Sequence, residues 1–229
     1  MGRAAFGKTL IDQPLMRNVL ADLQLEVEGS LAITMRMGEA LDNTTLDPTN
    51  EHEKLLLRLG LPAGKYWICK RTPFHAYEAM ECLGGNGVTE DFIMARLYRE
   101  APINAIWEGS GNVQCLDVLR ALSKEPGVLD VLFAELGDGH GSAVLKLRIE
   151  QLKQQFRDTD DIQYRARQLT EDVAIALQAK LLLKAGNSSV SDAFIASRLG
   201  QHGQAYGTLP RGLNLTALIM RSTPAAFQE

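Results

Sequence analysis

Residues 14–41 read PLMRNVLADLQLEVEGSLAITMRMGEAL, and this stretch decides the fold class. Leu15, Val19, Leu23, Val27, Leu31 and Met35 recur every four residues. A step of four drifts slowly around a helix of 3.6 residues per turn, so the spacing predicts one long helix with an apolar stripe. Pro14 fits the first turn, where its missing N–H would have had no partner anyway, and Asp12 stands before it as the expected cap. The pattern runs to about Leu41, and the polar stretch 42–50 (DNTTLDPTN) reads as a turn-rich loop.

Outward from that helix the pattern stays helical. A second helical region covers about 51–83, where Gly60, Pro62, Gly64 and Pro73 predict breaks or kinks. Gly84-Gly85-Asn86-Gly87 ends it. A short helix follows near 90–99, and another at about 112–122 with Val113, Leu116, Val118 and Leu119 expected to face inward. Past Pro126, helices are expected at about 126–136, 142–157, 162–185 and 189–199. Strand-like alternation is only scattered. The expectation is an all-α, antiparallel helical bundle, with a boundary near 123–127 that separates residues 1–123 from a smaller helical domain, 124–229.

Hydrophobic residues make up 45% of the 229 and charged residues 23%, a balance that supports a packed core. Net charge is −4, so no global field favours nucleic acid or an anionic membrane. Residues 125–229 hold 11 Lys/Arg against 12 Asp/Glu, with no basic excess hidden in that half. Cys69, Cys82 and Cys115 have no metal or disulfide spacing and read as buried free thiols. His52, His75, His140 and His202 show no ligand spacing, so no metal site is expected. No signal-peptide pattern precedes the first helix, and no apolar run approaches the ~18 residues of a spanning helix. With reduced thiols, this predicts a cytoplasmic protein that does not engage a membrane.

Three segments do not read as plain amphipathic helix: Arg3-Ala4-Ala5-Phe6-Gly7-Lys8, Glu81-Cys82-Leu83-Gly84-Gly85-Asn86-Gly87 and Trp107-Glu108-Gly109-Ser110-Gly111-Asn112. The glycine cluster is either a helix end and turn or a place where a ligand approaches the backbone. It is not a dinucleotide fingerprint, because no strand precedes it. In the third segment Ser110 or Asn112 can cap the next helix, whose first N–H groups suit an anion. Glu108 precedes that helix beside an indole. An apolar neighbour disfavours its charge and the helix terminus favours it, so it is either a solvated helix-start carboxylate or a candidate general base.

Residues 3–8 (RAAFGK), 81–87 (ECLGGNG), 96–101 (RLYREA) and 106–112 (IWEGSGN) occur in an order and spacing that resemble the C-terminal helical domain of acyl-CoA dehydrogenases. The runs 65–71 (KYWICKR), 77–82 (YEAMEC), 181–183 (LLL) and 192–200 (DAFIASRLG) are similar to its AidB-like branch. The general likeness covers about residues 1–123, and the remainder resembles the extra helical domain of that branch. The resemblance implies an FAD-dependent oxidoreductase acting on an acyl-CoA, with Glu108 as base. It implies that Arg3 and Phe6 contact FAD across a subunit interface, and that Gly84 and Gly85 form the turn that meets the cofactor. Ser110 and Asn112 match residues that hold FAD phosphate and adenosine. A cross-subunit role for Arg3 implies a homodimer or homotetramer.

The chain departs from the family at Pro14 and Glu81, where glutamine is usual. Glu81 stands on the cofactor side, where a carboxylate near a pyrophosphate would repel it. The family's N-terminal helical and middle β-domains have no counterpart in these 229 residues, so the chain alone is expected to be colourless and inactive. Two alternatives remain open. One is duplex DNA binding, for which Lys146, Arg148, Lys153 and Arg157 would line one helical face, unless that face is simply solvated. The other is an oligomerising bundle without catalysis.

Overall fold

The structure, a computed structural model, describes residues 3–200 and 205–225. His202 lies outside the described residues. Helix α1 runs Pro14–Leu46 and α2 runs Glu51–Cys82, joined by a short link across 47–50. Then come α3 (Gly85–Val88), α4 (Ile93–Glu100), a 3-10 turn (Ala101–Ala105) and α5 (Gly111–Lys124). The rest is α6 (Val128–Leu136), α7 (Ala143–Arg157), α8 (Ala166–Lys184), α9 (Ser188–Phe194), a π-helical turn (Ile195–Leu199) and α10 (Leu215–Ser222). A two-residue hairpin, β1 (Ala4–Ala5) and β2 (Lys8–Thr9), precedes α1. No described helix is long and apolar enough to cross a membrane.

Helix α1 extends one turn beyond the expected end, through residues that read as loop, and it starts differently. Gln13 is its N-cap and makes no side-chain cap bond. Asp12 sits in a 3-10 turn, where its carboxylate accepts from the Thr9 hydroxyl, so it does not cap. The buried face also differs from the stripe. Ala21, Leu25, Gly29, Ile33, Met37 and Ala40 face the core, whereas Leu15, Val27, Leu31 and Met35 are exposed. A helix apolar on two sides shows its period in the sequence but not which side its neighbours cover.

Helix α2 corrects the expectation of breaks, since it is one continuous helix with Pro62 and Pro73 inside. Each proline removes one intrahelical bond at a cost of about 3 kcal/mol. Packing against α1, α5 and α8 outweighs that cost. The glycines serve contact rather than interruption. A Cβ on Gly60 would lie 2.4 Å from Met37 Sδ, so the two long helices approach closely there.

One set of buried side chains connects α1 and α2 to the later helices, from Leu25, Ile33 and Leu59 through Val118 to Leu132, Ile149 and Leu177. Helix α8 is its axis, buried on most of its circumference and packed on α1, α2, α5 and α7. In α5 the inward residues are Cys115, Val118 and Ala121, while Val113 and Leu116 are exposed, against expectation. The thiols are free. Cys115 is buried and Cys69 and Cys82 are half-buried.

Candidate functional site

The chain start folds back onto the end of α2. Ala4 pairs with Thr9 and Ala5 with Lys8, leaving Phe6 and Gly7 as a two-residue turn with φ of +52° and +79°. Two positive φ values are what such a turn needs to match strand twist. The turn holds Phe6 at 101% exposure, an aromatic ring that no neighbour among the described residues covers. Just before the hairpin, Arg3 Nη1 donates to the Leu83 carbonyl at 3.0 Å.

That bond sets Arg3 against the glycine turn. Gly84 has φ +60°, which disfavours a side chain there, and a Cβ would lie 2.6 Å from Arg3 Nη1, so the guanidinium rests directly over this glycine. Gly85 has nothing within 4 Å of where its Cβ would be. Glu81 is exposed on the last turn of α2. Burial, with the charges of Glu78 and Glu81, pushes the Cys82 thiol up to about 11.

The third segment lies elsewhere on α2. Helix α4 and the 3-10 turn lead into Trp107, Glu108 and Gly109, with φ of +53° at Glu108 and +97° at Gly109. Left-handed backbone at a non-glycine residue costs about 1–2 kcal/mol, so neighbouring groups must hold it. Lys65 Nζ donates to Asn104 O at 2.8 Å, Trp107 O at 3.0 Å and Gly109 O at 2.9 Å. An ammonium has three donors, and all three are used. Gln114 Nε2 donates to Glu108 O at 3.0 Å and to Gly109 O at 3.2 Å. The Glu108 side chain is exposed, and Trp107 is itself 56% exposed, so the indole does not enclose the carboxylate and the side chain is solvated in this chain.

Ser110 is the N-cap of α5 by position, but its hydroxyl makes no cap bond. Asn112 does not cap either, because its Oδ1 accepts from Arg167 Nε at 2.9 Å. Both capping expectations are thereby corrected, and the first N–H groups of α5 keep no side-chain partner from Ser110. Lys70 lies alongside, its Cε 2.7 Å from where a Cβ on Gly111 would sit.

The predicted residues therefore form two groups. Arg3, Gly84 and Gly85 meet at the C-terminal end of α2, with Phe6 on the adjoining hairpin and Glu81 on the preceding turn. Glu108, Ser110 and Asn112 meet about 25 Å back along that helix, given ~1.5 Å of rise per residue between Lys65 and Cys82. Sequence reading missed three side chains that shape the second group: Lys65, Gln114 and Arg167. Lys65 appeared only inside the KYWICKR run, and a lysine in mid-helix carries no local signal of three carbonyl partners.

Comparison with known proteins gives the family and the fold. Residues 1–123 match the family profile described as "Acyl-CoA dehydrogenase, C-terminal domain". AidB of Escherichia coli is 46% identical over 157 residues, which is 68% of this chain and 28% of that protein. Acyl-CoA dehydrogenase family member 11 of Caenorhabditis elegans is 30% identical over 188 residues, 82% of this chain and 28% of that one. The crystal structure of Caenorhabditis elegans ACDH-11 in complex with C11-CoA shares the fold, with a TM-score of 0.79 at 24% identity over 87% of this chain and 39% of that chain. The chain thus spans under a third of the length of the curated relatives it matches. It belongs to the acyl-CoA dehydrogenase family, on the AidB-like branch, with residues 1–123 as that family's C-terminal domain.

Proposed function

We propose that this chain is the C-terminal part of an FAD-dependent oxidoreductase that removes hydrogen across the Cα–Cβ bond of an acyl-CoA, with Glu108 as the base. The observation that carries the reading is the Glu108 loop. A carboxylate at positive φ is projected outward from a backbone held by Lys65 and Gln114, directly ahead of α5. Glu108 takes the proton from the α-carbon of the thioester. When bound, FAD supplies the acceptor for the hydride that leaves the β-carbon.

The residues present fit such a cofactor. Gly85 offers clearance, Arg3 presents a guanidinium beside Gly84, and α5 opens with Ser110 making no cap bond. These are the clearance, cation and N–H donors that a dinucleotide's phosphates need. Arg3, Phe6, Gly84 and Gly85 would meet one FAD and Ser110 and Asn112 another, which is the geometry of a homodimer or homotetramer. The uncovered Phe6 ring supports a partner surface there. Glu81 weakens phosphate binding at the first group by its charge.

Duplex binding has less support. Arg148 pairs with Asp172 at 3.1 Å and Lys153 with Glu150 at 2.7 Å, so two of the four candidate cations are already engaged. The deciding experiment is Glu108→Gln in the flavin-loaded protein that carries the upstream domains. Acyl-CoA oxidation should fall by about 10²–10⁴-fold while flavin content is kept. Unchanged turnover would remove Glu108 from the chemistry.

A further inference from the structure

We infer that Lys65 is a positioning residue for Glu108: its ammonium sets the direction in which the carboxylate leaves the backbone. This rests on the reading of Glu108 as base. Glu108 is oriented by two peptide planes, one on either side. The Trp107 carbonyl belongs to the plane before it, and that carbonyl accepts from Lys65 at 3.0 Å. The Glu108 carbonyl belongs to the plane after it and accepts from Gln114 at 3.0 Å. Gly109 O, one plane further, accepts from both Lys65 at 2.9 Å and Gln114 at 3.2 Å. The third Lys65 bond, to Asn104 O at 2.8 Å, ties the incoming 3-10 turn to the same nitrogen. Lys65 comes from the middle of α2 and Gln114 from the first turn of α5, so two long helices fix φ and ψ of one strained residue between them.

The ammonium suits this task better than a neutral donor. It offers three donors from one point to three converging carbonyls, and a charged donor makes the stronger bond. The lysine touches no part of the Glu108 side chain in the bonds described, so it acts through the backbone. Loss of the ammonium therefore releases the loop and leaves the bundle in place.

The test uses Lys65→Met, which keeps the apolar stem and removes the donors. In the 229-residue chain, the 15N order parameters of Glu108 and Gly109 should drop from about 0.85 to below about 0.6, while those within α2 and α5 stay unchanged. In the flavin-loaded protein with its upstream domains, the same variant should lose about 10–100-fold in kcat, with KM for acyl-CoA within about threefold, because a base displaced by about 1 Å costs turnover rather than binding. Lys65→Arg, which keeps the charge but offers its donors as a planar fork, should recover part of the loss. Should Lys65→Met not fold by circular dichroism, Lys65→Gln, which removes the charge and offers two donors on a shorter stem, carries the same two readouts. A loop as rigid as in the parent, or a mobile loop with undiminished kcat, overturns the proposal. The relaxation result stands apart from Glu108→Gln: that substitution decides whether Glu108 reacts, and this one decides what holds it.

Discussion

Along the seam between α1, α2 and the π-helical turn after α9, charges are buried and paired, whereas at the ends of α2 and α4 they are exposed and the backbone is strained instead. Arg198, with 8% of its side chain exposed, binds Asp22 at 2.6 Å and Glu26 at 3.3 Å. Arg71 reaches the same Glu26 oxygen at 3.0 Å, and the Gly207 N–H closes on Asp22 at 2.9 Å. A second seam joins α1, α2 and α6, where the fork of Arg36 takes Glu53 at 2.8 and 3.0 Å and Glu135 at 2.8 and 3.2 Å. Burial opposes the charge of Glu135, yet the hydrogen bond and charge of Arg36 outweigh it and hold the carboxyl below its ordinary range. At the rim, Arg3 is exposed with one carbonyl partner, and Glu108 projects from a left-handed loop. The seams fix how the helices pack, and under the proposed function the rim is where cofactor and substrate would meet this chain.

The largest expected effect breaks a seam. Arg198→Ala leaves Asp22, 3% exposed, and Glu26 with fewer cationic partners. Removing one member of a buried pair strands the other charge, at a cost of about 3–5 kcal/mol. Urea unfolding of the chain should read that loss, while Arg3→Ala at the rim should stay within about 0.5 kcal/mol. Equal losses at the two sites would erase the contrast.

The two regions also differ in how far the sequence disclosed them. The rim was legible because its residues stand in four short runs whose order resembles a family, and Arg3, Gly84 and Glu108 each lie inside one. The seams were not legible. Asp22, Glu26 and Arg36 sit on the core-facing side of α1, where a periodicity reading expects apolar residues, while the apolar stripe of Leu15, Val27, Leu31 and Met35 faces outward. Only partners distant in sequence, such as Arg198 and Glu135, make those charges tolerable inside. The same limit hid Lys65, whose carbonyl partners lie 39, 42 and 44 residues away. It also turned Gly60 and Pro62 into expected breaks, since a contact with α1 and a buried helix face cannot be read from α2 alone.

A middle-sized effect sharpens the comparison within the glycine turn. Gly87 is buried, and a Cβ there would lie 2.1 Å from the Met80 carbonyl oxygen. Backbone cannot yield cheaply, so Gly87→Ala should cost about 1–3 kcal/mol. Gly85 has open space and an ordinary φ, so Gly85→Ala should change stability by no more than about 0.5 kcal/mol. Differential scanning calorimetry separates the two. If Gly85→Ala is stable yet lowers flavin affinity in the protein with its upstream domains, that glycine serves the cofactor and Gly87 serves the fold.

The smallest effect concerns a carboxylate at the edge of a seam. Glu171 is half-buried on α8, and burial together with the neighbouring Asp172 pushes its carboxyl above the ordinary 4.5, against the opposing charges of Arg71 and Arg148. Asp172 is likewise raised by burial, although Arg148 pairs with it. The sign follows from proton linkage. Between the unfolded and the raised folded value the native state binds more protons, so stability falls as pH rises through that window, and above it the cost of the buried charge is complete. Glu135 runs the other way: its lowered carboxyl contributes stability above its unfolded value that is lost on acidification. Glu171→Gln keeps the shape and removes the charge, so at pH 7 it should stabilise the chain, by no more than about 1 kcal/mol because water screens a half-exposed group. The gain should vanish below about pH 4, where Glu171 is protonated in both states. Urea midpoints of the two proteins from about pH 3 to pH 8 check both limbs. A constant difference across that range would mean that the charge of Glu171 is not what burial opposes, and that the seam tolerates an unpaired carboxylate as readily as the rim does.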